Sequence, residues 1–429
     1  MRRVEVIEDF ERQFNNLRSK SIRYFEVAFQ DLSGVIRGRI LKPGKADDIL
    51  KGFRVDAFST GFTSVENSDV HLLPDPHTLR LYRTRMGIVG FLIGDFYIDG
   101  KPFELYPRNA LKEVVGGLRK ELLLGAELEF YLARNYKPLD MGGYMDLSPY
   151  TVNHEVLLEI IENAREAGVE VKAGHHEVGP GQYEIVPPPL NPLELADTVV
   201  FLKKLVWETA ARSGLQATFM PKPFEGLPGN GMHLHISYVS GGRNLLVEEG
   251  ELTSMGSSLI GGLLTYARPF TLLTNPTVNS YKRLTPGFEA PVYLSWGRGN
   301  RSTMIRVPVG LEGLSGTVEF RLPDSSGNIY LKVLSTVFSV SKGLEDNIKP
   351  PPECHCNVFE SKGLERVPQS LGEALEIAGK GVNGIEPLKP FIEKISEAKR
   401  KEWIAYLQSL NGHDHGSVTQ WEIKEYFYR

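Results

Sequence analysis

The chain has 429 residues, 41% hydrophobic and 24% charged, a composition that supports a buried core and excludes a disordered tail. Lysine and arginine total 49 against 53 aspartates and glutamates, and the resulting net charge of −4 argues against a dedicated nucleic-acid binder. No run of 18 apolar residues occurs, so no membrane-spanning helix is expected. The opening MRRVEVIEDFERQF has no apolar core of a secretion signal, and only Cys354 and Cys356 are present, which makes a reducing cytoplasm the simplest home.

In chain order, residues 1–20 read as a charged amphipathic helix. The alternation in Tyr24–Phe29 predicts a strand, Asp31–Gly34 a turn and Val35–Leu41 a returning strand, together a β-hairpin. Strand patterns continue through Leu79–Tyr82 and Gly87–Ile98. Turn formers crowd Asp95–Pro107, and a domain boundary is expected near residue 105. Helices are expected at Arg108–Leu123, Thr151–Ala167 (closed by Gly168) and Pro192–Arg212, with a strand at Leu124–Leu132. Short strands and Gly-rich loops follow to about residue 322, and a mostly helical tail from Leu331 is interrupted at Pro350–Pro352. The expected class is α+β.

Polar pairs recur at spacing i, i+2 within strand-like runs: Glu127/Glu129, His233/His235 and Glu319/Arg321. Residues two apart on a strand share a face, so each pair presents two polar groups to one side of a sheet. The segment His175–Glu184 adds Glu177 and Glu184 around a tight turn. Carboxylates with few imidazoles suit Mg²⁺ or Mn²⁺ rather than structural Zn²⁺. Arg283, Arg301, Arg306 and Arg321 lie near Gly/Pro turns, and guanidinium forks match carboxylate and phosphate geometry. A carboxylate–metal cage beside arginines suits phosphoryl transfer. There is no P-loop motif and no Rossmann glycine fingerprint. Cys354-His355-Cys356 lacks two further spaced metal ligands, and His413-Asp414-His415 reads as a solvated loop.

The chain resembles the glutamine synthetase family over nearly its whole length. The resemblance is carried by DGKPFELYPRNAL at 99–111, GAELEFYL, HHEVGPGQYEI, ATFMPKPFEGLPGNGMHLHIS at 217–237, NPTVNSYKRLTPGFEAPVYL at 275–294, NRSTMIRVP at 300–308 and TVEFRLPD at 317–324. It implies an N-terminal β-grasp domain over 1–105 and a catalytic domain over 106–429 built on a curved antiparallel sheet. It also implies an ATP-dependent ligase that makes a γ-glutamyl amide from glutamate and ammonia or a small amine through γ-glutamyl phosphate. The implied partners are glutamate, ATP, the amine and further copies of the chain in stacked rings, without nucleic acid or membrane. Carried over by position, Glu129, Glu177 and Glu184 match ligands of one divalent cation, and Glu127, His233 and Glu319 those of a second. His235 and Ser237 match nucleotide contacts. Gly229, Arg283 and Arg321 match glutamate-holding groups, and Arg301 and Arg306 match groups on the transferring phosphate, with Arg306 on the nucleotide side. Glu289 matches the flap carboxylate that takes a proton from the amine, and Asp56 an ammonium-site residue.

The family pattern breaks in three places. Ala57-Phe58 replaces Gly-Ser after Asp56. Either Phe58 enters the domain core, or it lines a more apolar acceptor pocket suited to an amine. Thr317 stands where the family has Arg, which predicts weaker nucleotide binding. Pro187–Pro189 supply no stacking ring near the adenine. Phe359 occupies the position of a tyrosine that some bacterial relatives adenylylate. These departures raise a rival reading, a paralogue that binds or regulates with little ligase activity. A metal-dependent amide hydrolase ranks last, because it leaves the arginines without a phosphate.

Overall fold

The computed structural model describes residues 22–118, 121–151, 153–311, 313–380, 384–410 and 416–429. The helix expected over 1–20 and the segment His413–His415 lie outside the described residues.

The hairpin forms as expected: β1 (Ile22–Gln30) and β2 (Ile36–Leu41) pair antiparallel around Asp31–Gly34. Asp31 shapes the turn, its carboxylate accepting from the backbone N–H groups of Ser33 and Val35, both at 2.9 Å. β3 (Phe53–Asp56), β4 (Asp69–Pro74), β5 (Arg80–Thr84) and the long β6 (Gly87–Ile98) complete a mixed sheet. Its order is β2-β1-β6-β4-β3, with β5 also on β6 and β1 parallel to β6. This is the small β-grasp sheet domain.

The helix expected over Arg108–Leu123 stops early. α1 spans Pro107–Gly117, and Leu122 already belongs to strand β7 (Leu122–Arg134). Gly116-Gly117 disfavour further helix. Leu122 and Leu124 are buried with Leu123 between them only half-buried, which is strand periodicity. The helix expected over Thr151–Ala167 appears as α2 (His154–Glu166), and β8 (Ala173–His176) and β9 (Gln182–Val186) follow. α3 spans Pro192–Arg212 as expected; the Asn191 side chain caps it by accepting from the Glu194 N–H at 3.0 Å, with Pro192 in the first turn. β10 (Met232–Ser240), β11 (Trp296–Arg298), β12 (Ile305–Val307) and β13 (Val318–Phe320) close a curled sheet of order β8-β9-β7-β10-β13-β12-β11. α4 (Ile329–Glu345) begins the helical tail.

Strand β7 shows how this sheet serves two tasks. Leu124, Ala126, Leu128, Phe130 and Leu132 are all fully buried in the apolar core. The residues between them, Glu127 and Glu129 among them, face the opposite side. One face of the sheet therefore makes the core, and the other is free to make a site.

Two contacts fix the small domain on the large one. Arg108 is buried and donates to Asp75 (3.0 Å), to Asp95 and, from two of its nitrogens, to Asp197 (2.8 Å each), while Lys112 bonds Asp75 at 2.8 Å and Asp95 at 2.7 Å. At the hairpin turn, Gly34 lies so close to the backbone of Gly327 that a Cβ there would stand 2.0 Å from its carbonyl carbon. Gly34 also has φ +89°, a conformation open mainly to glycine.

Candidate active site

The register of the curled sheet assembles the site. His175 on β8 lies opposite Glu184 on β9, and Glu184 lies opposite Glu129 on β7. Glu127 on β7 lies opposite His233 on β10. His235 lies opposite Glu319 on β13, and Glu319 opposite Arg306 on β12. Directly opposed side chains are about 4.5–5.5 Å apart at Cβ, so these rows place ionisable groups from six strands on one surface.

Two clusters result. Ligand atoms of Glu127, His233 and Glu319 lie within 4.8 Å of one another, and so do those of His175, Glu177 and Glu184. The first is the expected trio. The second holds Glu177 and Glu184 but brings in His175, whose Nε2 is 2.9 Å from Glu177. Glu129 lies beside both clusters. It accepts from the Gly231 N–H at 2.8 Å and from Gln182 Nε2 at 3.3 Å, and its Oε1 is 3.8 Å from His233 Nε2. His175 shares the i, i+2 spacing with Glu177, a signal present in the sequence. Gln182 carried none.

A cavity of about 670 Å³ opens over this surface. Glu127, Glu129, Glu177, Glu184, Gly229, His233, His235, Arg283, Glu289, Arg301, Arg306 and Arg321 all line it, so most of the sequence-derived candidates converge. Glu319 sits fully buried beneath, its two carboxylate oxygens accepting from Arg321 Nη1 at 2.8 Å and Arg306 Nη1 at 2.5 Å. Ser237 is buried on β10 and Asp56 is exposed on the small domain; neither is among the described residues lining the cavity. Asp56 is instead held by its own loop, accepting from Ser59 Oγ at 2.5 Å and the Phe58 N–H at 3.0 Å. Phe58 is 51% exposed and Ala57 fully buried, so the packing of Phe58 into the core is ruled out. Cys354 and Cys356 are free thiols and belong to neither cluster.

The electrostatics follow from crowding. Burial, then repulsion from Glu127, Glu129, Glu177 and Glu319, pushes Glu184 up to about 10. Burial also raises Glu129. Burial opposes ionisation of Glu127 too, but hydrogen bonds from His233 and His235 hold it well below the usual carboxylate range. Burial opposes ionisation of Glu319 as well, but Arg321, His233 and His235 together lower it. The site thus concentrates more carboxylate than its own cations neutralise. Oxygen donors with one imidazole per cluster fit a hard divalent cation in each. Nε of Arg306 and Nε of Arg321 are buried without a hydrogen-bond partner, and an anionic group would satisfy them.

Such an arrangement suits phosphoryl chemistry with divalent cations. The family model described as "Glutamine synthetase, catalytic domain" matches residues 104–426. A glutamine synthetase of Pyrococcus horikoshii is 36% identical over 100% of both chains. A structure described as a GmaS/ADP complex superposes with TM-score 0.84 and 30% identity, covering 96% of this chain and 98% of that one. The glutamine synthetase of Plasmodium falciparum shares the fold, with TM-score 0.81 and 21% identity over 96% of this chain and 98% of its own. The chain belongs to the glutamine synthetase family and is an ATP-dependent ligase of that family, which works with divalent metals. No helix among the described residues is long and apolar enough to cross a membrane.

Proposed function

We propose that the protein joins ammonia or a small amine to the γ-carboxyl of glutamate, with ATP, through γ-glutamyl phosphate. The observation that carries this reading is the convergence of both carboxylate clusters, four arginines and Glu289 on one cavity. Mg²⁺ or Mn²⁺ held by Glu127, His233 and Glu319, and by Glu177 and Glu184 with His175 or Glu129, would neutralise charge on the phosphoryl group. Gly229, Arg283 and Arg321 hold glutamate; His235, Ser237 and Arg306 hold the nucleotide. Arg301 steadies the moving phosphate. Glu289 takes a proton from the incoming ammonium, which frees the nitrogen lone pair for attack on the acyl carbon.

In this reading the small domain, divided from the catalytic domain near residue 105, closes the site of a neighbouring copy in stacked rings. Asp56 and the exposed Phe58 then reach that neighbour's acceptor pocket. An exposed ring beside Asp56 favours an amine with a short carbon chain over bare ammonium, since each buried CH₂ contributes about 0.8 kcal/mol. Thr317, whose hydroxyl lies 3.3 Å from that of Ser315, leaves the nucleotide side one cation short. A paralogue without ligase activity would leave the clusters and arginines without a task. The two free thiols suit a cytoplasmic location.

The test is an amine panel with ATP, glutamate and Mg²⁺ or Mn²⁺, read by mass spectrometry of the γ-glutamyl product. Amide formed from methylamine or ethylamine in preference to ammonium supports the amine reading. Glutamine alone returns the protein to ammonia. ATP turnover without any amide refutes the reaction.

A further inference from the structure

Residues Gly287, Phe288 and Glu289 line the cavity and, in the reading above, form its flap. Gly287 has φ +100° and Glu289 φ +54°. A non-glycine residue in the left-handed region persists only where its surroundings fix it. Two contacts do so here. Arg321 Nη2 donates to the Glu289 carbonyl at 3.0 Å. The Lys222 ammonium lies 3.7 Å from the centroid of the Phe288 ring.

Lys222 is well placed to hold that ring. It is only 6% exposed, and its backbone N–H is pinned to Asn279 Oδ1 at 2.6 Å. Its Nζ also donates to the Leu227 carbonyl, in the loop whose Pro228 and Gly229 line the cavity. Burial, then repulsion from Arg283, lowers Lys222 to about 8, so the ammonium form still prevails at neutral pH. A cation taken out of water and set against an aromatic face makes a strong contact of its kind.

We propose that Lys222 is a positioning residue that latches the flap through Phe288, holding Glu289 over the site and keeping water out. This rests on the acyl-phosphate reading above. In the productive step the amine nitrogen, freed of one proton by Glu289, attacks the γ-carbon, the bond from that carbon to the phosphate oxygen breaks, and the departing phosphate carries off the second amine proton. If water attacks instead, the same bond breaks and glutamate and phosphate are released, so ATP is consumed with no amide formed. A loosened flap favours the second outcome.

The experiment compares Lys222→Met, Phe288→Leu, their double variant and Lys222→Arg with the unaltered protein. Two quantities are read: ADP released per amide formed, and hydrogen exchange of the flap amides at residues 287–290. Loss of a desolvated cation–π contact should raise both by about tenfold in either single variant. The double variant should be no worse than the singles, because both remove one contact. Lys222→Arg keeps a cation over the ring and should stay near the unaltered values. Unchanged flap exchange in Lys222→Met and Phe288→Leu overturns the latch, whatever the activity. Faster flap exchange in a protein that makes no amide at all upholds the latch and refutes the reaction instead.

Discussion

Gly231 is an exacting position in the site. A Cβ built there would stand 2.8 Å from Arg283 Nη2, 2.8 Å from His233 Nε2 and 3.0 Å from Glu129 Oε1. Ordinary Cβ contacts begin at 3.4 Å, so a methyl group must drive these three atoms back by 0.4–0.6 Å. The backbone cannot retreat to make room. The Gly231 N–H is held by Glu129 at 2.8 Å, and its carbonyl accepts from Ser325 Oγ at 2.7 Å. A misplacement of about 1 Å in such a site costs on the order of 10²-fold in rate. Gly231→Ala should therefore lower kcat/KM roughly 10- to 100-fold in glutamate-dependent ADP release. Over-packing adds about 1–3 kcal/mol of destabilisation, not enough to unfold a well-folded chain. Gly116→Ala, with nothing within 4 Å, is the control; it should leave kcat/KM unchanged and, lying in α1, raise stability by up to about 1 kcal/mol. Unaltered kcat/KM in Gly231→Ala, with its folding intact, would show that these groups do not form the reacting site.

Arg108→Met should destabilise the protein by about 3–5 kcal/mol in urea unfolding, because it removes the buried guanidinium shared by Asp75, Asp95 and Asp197; Arg108→Lys should lose less. Burial opposes ionisation of Asp75, but Arg108 and Lys112 prevail and hold it below the usual 3.8. A depressed carboxylate stabilises the fold above its unfolded pKa and loses that contribution as pH falls through the folded one, so the melting temperature should drop below about pH 4, and Asp75→Asn should flatten that acid slope. Saturating Mg²⁺, at 100 times its Kd, should add about 2.7 kcal/mol to unfolding and chelation should remove it, an increment that Glu127→Gln largely lacks in a thermal-shift measurement.

The site was legible in the sequence because its residues lie on strands. The period of two alone places Glu127 with Glu129 and His233 with His235 on shared faces. Spacing within one strand is silent about the strand opposite, so only the fold shows that His235 meets Glu319, or that Glu184 lies between His175 and Glu129. Gln182, which braces Glu129, gave no signal because a lone amide has no characteristic spacing. The overrun of the helix expected at Arg108–Leu123 has a similar cause. The run Leu122–Leu124 satisfies both helical and strand periods, and pairing with β10 decides between them. Phe58 could be placed either in the core or outside it from sequence, since a single aromatic side chain has no period.

The opposed rows across the curled sheet tie chemical competence to correct long-range strand pairing. His233 hydrogen-bonds to Glu127, 106 positions away in the chain, and Gly231 to Glu129 across 102. Contacts this distant in sequence must overcome a large loop-closure entropy before they form, so their pairing is slow. A slip of one residue between β7 and β10 would turn Leu128 into the cavity and Glu127 into the core. A misregistered sheet would therefore bury carboxylates among leucines and be expelled on stability grounds before it could act as a faulty catalyst. The same hydrogen-bond ladder that certifies the fold certifies the enzyme, so a quality-control system that detects exposed apolar surface also screens for activity.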